Sequence, residues 1–274
     1  MSPERPVPPV PVDRARFDTT RAADRRVGVL LVGHGTRDPV GVAEFLQLAE
    51  LLRARLEPVP VRPGFLELAE PSIDAAVADL AAAGVRSVYV APVLLFAAGH
   101  AKRDIPDAVA AAAARYGLAV SGQTVHFGCR PELLALSQRR FDEAVSGGQF
   151  TPGETLHVMV GRGSTDDTAT AEMREFSARR AAAGAALKTV TAFAAMAEPR
   201  IEPTLEQAAS TGARHIVVQP HLLFAGELLD RVASLTADAA RRHPSITWTL
   251  TRHLGAESEL VECLVASLAE TCGI

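Results

Sequence analysis

Read for apolar and polar positions, the chain alternates two signals. Short runs of Val, Ile and Leu are separated by longer segments whose apolar residues recur at helical spacing. The first run, Val29-Leu30-Leu31-Val32, closes on Gly33-His34-Gly35. Asp38-Pro39 then read as the cap and first residue of a helix, and Val42, Phe45, Leu46, Ala49, Leu52 and Leu56 continue it. Val59 to Glu67 reads as a strand with Pro60 and Pro63 inside it, which places it at a sheet edge. A helix starts at Glu70-Pro71-Ser72-Ile73 and stops at Gly84. Val85 to Leu95 is the clearest strand, and the helix after it ends before Gly117. Ala119 to Phe127 is a fourth strand and Pro131 to Val145 a fourth helix. This alternation predicts an α/β fold with a parallel sheet and right-handed crossovers.

The pattern then starts again. Val160-Gly161-Arg162-Gly163-Ser164-Thr165-Asp166 follows Val32 to Asp38 at an offset of 128, which also takes residue 67 to 195 and residue 92 to 220. His126-Phe127-Gly128 returns as His253-Leu254-Gly255. The expected architecture is two tandem similar domains, each a small parallel sheet flanked by helices, facing across a cleft. The expected bounds are 26–147 and 154–274, joined by the polar Gly- and Pro-bearing stretch from Ser146 to Glu154. Residues 1–25, rich in Pro and Arg, read as a disordered tail without the apolar core of a signal peptide.

Composition narrows the class. A net charge of −4 argues against a general nucleic-acid binder. No apolar run has the length of a membrane helix, so the expectation is a cytoplasmic protein with no membrane partner. Cys129, Cys263 and Cys272 form no CxxC pair and read as incidental thiols of a reducing compartment.

His34, Glu67 and His100 each lie just beyond a predicted strand. Parallel strands put those ends on one rim, where ligands bind in open α/β sheets. Two imidazoles and a carboxylate suit a borderline divalent metal and also offer a base for proton removal. Taken singly, a loop histidine is more often a hydrogen-bonded structural group, and a glutamate after a strand a cap or a solvated charge. In the second unit Arg162, Ala195 and Glu227 stand where His34, Glu67 and His100 stood, so the backbone repeats and the chemistry does not. Glu70 and Glu198 persist beside a proline, which suits a helix-start role, and the persistence of His126 and His253 suits a structural one.

The segments Val32 to Asp38, Phe65 to Ile73 and Gly99 to Pro106, taken in order, resemble the class II chelatases, specifically the sirohydrochlorin chelatase family of CbiX/SirB type. The likeness runs from about Val27 through both units. It implies a tetrapyrrole cleft and insertion of Co(II), Fe(II) or Ni(II) into sirohydrochlorin, with no nucleotide. It makes His34 and His100 the metal-binding pair and Glu67 their acidic partner, as base or ligand. The substrate's carboxylates call for a basic rim, for which Arg37, Lys102, Arg103 and Arg162 are the candidates against a reading as solvated charges. One active centre per chain is expected, and a monomer suffices because the pseudo-dimer lies within one chain. Two other readings compete: a carrier of tetrapyrrole or metal without turnover, and a phosphate-binding module using Gly33-His34-Gly35 as an anion loop.

Overall fold

The computed structural model describes residues 17–96, 99–147, 151–183 and 188–273, with the side chains of 99–102 outside the description. The first half runs β1 (Val27–Gly33), α2 (Pro39–Leu56), β2 (Val61–Phe65), α3 (Ile73–Ala82), β3 (Ser87–Pro92), α4 (Gly99–Tyr116), β4 (Ala119–Gln123) and α5 (Pro131–Val145), after a short α1 (Thr19–Asp24). The second half runs β5 (Thr155–Gly161), α6 (Asp167–Ala183), β6 (Lys188–Phe193), α7 (Ile201–Ala209), β7 (His215–His221), α8 (Glu227–Arg242), β8 (Thr247–Leu250) and α9 (Ser258–Cys272). Each half holds one parallel sheet, in the orders β2-β1-β3-β4 and β6-β5-β7-β8. The central strands β1 and β5 are buried along their whole length, as their unbroken apolar runs require. The proline-bearing β2 sits at an edge.

The local signals act as their chemistry dictates. The Asp38 carboxylate accepts from the Val40 N–H at 2.8 Å, with Pro39 at the first helical position. The Glu70 carboxylate accepts from the Ser72 N–H at 2.7 Å, and Glu198 from the Arg200 N–H at 2.9 Å, so both acids shape the turn into a helix.

Three expectations are corrected. Residues 18–25 are not part of a disordered tail: α1 is capped by Asp18, and Phe17 and Ala22 are buried in the core. Residues 1–16 lie outside the described residues. The apolar run to Leu95 leaves the sheet after Pro92, because Val93, Leu94 and Leu95 line a cleft. β4 ends at Gln123, although the chain still bonds alongside β3, with the Thr124 N–H donating to the Val90 carbonyl at 2.9 Å. No disulfide joins the cysteines, and among the described residues no helix is long and apolar enough to cross a membrane.

The halves exchange helices. α9, the last helix of the second half, packs on α2 and on β3 and β4 of the first half. Reciprocally, α5 packs on α6 and on β7 and β8 of the second. One hydrophobic cluster therefore runs through both halves, joining Leu48, Leu52 and Leu56 of α2 to Phe176 of α6 and to Leu264 and Leu268 of α9. The outer faces have separate clusters, one with α3 and α4, the other with α7 and α8.

Arginines of the first half meet carboxylates and carbonyls of the second across this seam. Arg130 reaches Glu270, Arg139 reaches Glu257 and Glu259, and Arg55 reaches Glu262. Arg140 is 1% exposed; its Nε donates to the carbonyls of His253 at 2.9 Å and Leu254 at 3.2 Å, and its Nη2 to Glu257. Removing one partner of such a buried set leaves the others unsatisfied. Arg140→Met is therefore expected to destabilise the protein by about 3–5 kcal/mol, read as a fall in Tm of roughly 10 °C in thermal unfolding.

Candidate functional site

The rim is built by a ladder that outlasts its strands. Gly33 is in register with Phe65. Beyond them the Leu66 N–H donates to the Gly33 carbonyl at 2.9 Å and the Glu67 N–H to the His34 carbonyl at 3.1 Å. His34 and Glu67 are thereby set side by side, and His34 Nε2 lies 3.3 Å from Glu67 Oε1. Both side chains stay about half exposed, at 44% and 55%, and so remain open to a ligand. Gly35 makes this possible: its φ is +99°, and a Cβ there would sit 1.7 Å from the Glu67 carbonyl oxygen.

The second half repeats this backbone with other side chains. The Ala195 N–H donates to the Arg162 carbonyl at 2.9 Å. Gly163 has φ +86°, and a Cβ there would sit 1.8 Å from the Ala195 carbonyl oxygen.

Between the two rims lies a cavity of about 660 Å³, within the range of roughly 300–1,000 Å³ usual for ligand sites. Residues 93–96 and 222–224 supply apolar walls, and His34, Arg103 and Arg162 supply polar groups. Glu67 stands behind His34, against the turn 65–72, and does not line the main cavity. Arg37 is exposed and also lies outside the lining: the Thr36 hydroxyl accepts from the Asp38 N–H at 3.1 Å, and it is Thr36 that faces the cavity. His100 and Lys102 fall in the first turn of α4, which follows β3 on the same rim, but their side chains lie outside the described residues. Among the described residues no cluster of three His, Cys, Asp or Glu side chains is set to hold a metal.

The other persistent histidines tie the halves together. His126 Nε2 lies 2.9 Å from Glu172 Oε2, and His253 Nε2 lies 2.8 Å from Glu44 Oε1. Each pair crosses between halves and is the repeat image of the other. The second Glu44 oxygen accepts from the Ala225 N–H in the cleft wall at 2.7 Å. Sequence reasoning missed Glu44 and Glu172, although their 128-residue offset beside the repeated histidines was a usable signal.

His221, at the end of β7, was also missed. It lines the cavity but is 2% exposed, between the rings of Phe96 and Phe176, and neither ring nitrogen is hydrogen-bonded among the described residues. Burial pushes it down to about 3. Burial, aided by the Arg180 charge, does the same to His157, which also sits at about 3 and bonds Gln219 at 2.9 Å.

Taken together, the fold and site define a class: a duplicated parallel α/β protein with one imidazole–carboxylate pair on the rim of a largely apolar cleft. The CbiX family model matches residues 28–144 and 156–271. The chain belongs to the CbiX family and carries two copies of its unit. It is 28% identical over 236 residues to the sirohydrochlorin cobaltochelatase of Priestia megaterium, covering 85% of this chain and 76% of that one. It is 27% identical over 250 residues to the sirohydrochlorin ferrochelatase of the same organism, covering 89% and 90%. Its fold matches SirB from Bacillus subtilis with Fe3+ at a TM-score of 0.78 and 21% identity, over 89% of this chain and 95% of that one.

Two expected outcomes follow from the geometry. Gly35→Ala and Gly163→Ala should each cost about 2–4 kcal/mol from overpacking and left-handed strain. Only Gly35→Ala should weaken Co(II) binding in calorimetry, because only that turn carries Glu67. Separately, the unfolded chain protonates His157 and His221 near pH 6.5, whereas the folded chain does so only near 3. The stability tied to these neutral rings is complete above the unfolded value and is lost as pH falls from there towards 3. Between about pH 6 and pH 5, the unfolding free energy from urea titration should fall roughly 1 kcal/mol less in His221→Phe than in wild type.

Proposed function

We propose that this chain is a sirohydrochlorin chelatase that inserts a divalent metal, Co(II) or Fe(II) and with Ni(II) as a further substrate, into the macrocycle. The observation that carries the reading is the His34–Glu67 pair, 3.3 Å apart, with His34 lining the cleft. Membership of the CbiX family and the names of the two Priestia megaterium relatives support it.

Insertion replaces two pyrrole protons by one M(II). Neutral imidazoles bind such a metal without cancelling its charge. His34 and His100 are assigned that role, with His100 supplied from the first turn of α4. Glu67, against His34, completes the coordination or takes up one pyrrole proton, and protons it does not take leave to solvent. The apolar walls bury the macrocycle faces, and Arg103 and Arg162 meet its carboxylates. Lys102 and Arg37 are assigned to the outer rim, where Arg37 serves carboxylates that project into solvent. No nucleotide takes part. The second rim, with Arg162, Ala195 and Glu227 in place of His34, Glu67 and His100, binds substrate and inserts no metal. The reaction is placed in the cytoplasm, with the monomer as a sufficient unit and neither nucleic acid nor membrane as a partner.

The test is anaerobic incubation with sirohydrochlorin and Co(II) or Fe(II), followed by absorbance. Wild type should far outpace the no-enzyme control. His34→Ala and His100→Ala should return insertion close to that control with folding intact, and Glu67→Gln should lose about 100-fold. Saturable tetrapyrrole binding without faster insertion would replace the enzyme by a carrier. Full activity in both histidine variants would overturn the site.

A further inference from the structure

Two bulky apolar residues hold a backbone conformation that disfavours them. Leu68 has φ +64° and Met196 has φ +57°. They occupy the same point of the repeat, each directly after the residue paired with the rim strand, Glu67 or Ala195. Each is the centre of a three-residue turn: the Ala69 N–H donates to the Glu67 carbonyl at 2.9 Å, and the Ala197 N–H to the Ala195 carbonyl at 2.7 Å. With positive φ at the centre this is the rare, strained form of the γ-turn. Glycine or asparagine would occupy it with less strain.

Core packing does not repay that strain. Leu68 is 50% exposed and Met196 56% exposed. Met196 lines the cleft, whereas Leu68 lies with Glu67 around the turn 65–72, outside the lining of the main cavity. The apolar residue persists in the half whose rim holds none of His34, Glu67 or His100, so its use is separate from the metal and proton chemistry. Strain held at an exposed site marks a place where function outweighs stability. An exposed apolar side chain at the mouth of a cleft suits a flat apolar ligand face. Arg103 and Arg162, which line the same cleft, suit that ligand's charged periphery.

We propose that Met196, at the cleft, and its repeat counterpart Leu68, beside Glu67, are positioning residues: two apolar lips, one per rim, that hold the macrocycle of the substrate. The inference rests on the tetrapyrrole reading of the cleft. The lips hold the macrocycle equally before and during insertion and take no part in bond making.

The signature is an opposition of signs. Met196→Gly and Leu68→Gly relieve strain, so Tm should stay level or rise by a few degrees. The same variants should weaken metal-free sirohydrochlorin binding, followed by absorbance titration, by about fivefold to tenfold each. Met196→Gly is the decisive variant, because its half holds none of His34, Glu67 and His100, and its Co(II) affinity should be unchanged. In turnover, KM for sirohydrochlorin should rise while kcat is kept. Met196→Leu, which restores an apolar side chain, should recover wild-type affinity. Unchanged tetrapyrrole affinity in both glycine variants overturns the inference, whatever Tm does. Weakened binding in Met196→Gly that Met196→Leu fails to recover overturns it as well. Wild-type protein that binds Co(II) but no sirohydrochlorin overturns the proposed function and this inference with it. Wild-type binding with indifferent variants overturns the inference alone.

Discussion

The structure depends on an exchange of helices between its two halves. A parallel sheet needs both faces covered. Here each sheet takes its outer cover from its own crossovers and part of its inner cover from the other half, α9 on β3 and β4, α5 on β7 and β8. The shared apolar cluster makes that cover continuous, and Arg140, bonded to the His253 and Leu254 carbonyls, fixes the seam where the chain enters the cleft wall. The His126–Glu172 and His253–Glu44 pairs then close both ends of the seam. The halves are thus packed against one another, with a cavity of about 660 Å³ between the rims.

On this symmetric frame the chemistry is one-sided. Gly35 and Gly163 let the following turn approach equally closely on both rims, yet only the first rim places a carboxylate against an imidazole. Buried neutral imidazoles elsewhere, His157 and His221, are held well below the ordinary histidine range by desolvation. His34 and Glu67 remain about half exposed, which leaves the pair open to a ligand.

Much of this was legible in the sequence because it is local or periodic. The unbroken run at Val29 to Val32 reports a strand buried on both faces, the Asp38-Pro39 pair a helix start, and the prolines around Arg62 a sheet edge. The 128-residue offset exposed both the duplication and the replacement of His34 by Arg162. What could not be read there depends on distant partners. Nothing in the apolar face of α9 says which sheet it covers, since either would satisfy its hydrophobic stripe. Phe17 and Ala22 belong to a Pro- and Arg-rich stretch whose composition hides a capped helix. The run to Leu95 is apolar for a reason other than a strand, namely the cleft wall. His221 gives no local cue, because its burial comes from Phe176 and from Phe96 of the opposite half.

The helix exchange also governs which positions are free to vary. The second rim carries Arg162, Ala195 and Glu227 at the repeat positions of His34, Glu67 and His100, and Arg162 and Glu227 are exposed, outside the shared core. The second half as a body has no such freedom: without α9 the first sheet would lose cover along β3 and β4, and α5 packs on α6, α9, β7 and β8, all of the second half. The second half is therefore indispensable to the frame whatever its rim carries, and mutational tolerance in this chain should divide by layer rather than by half.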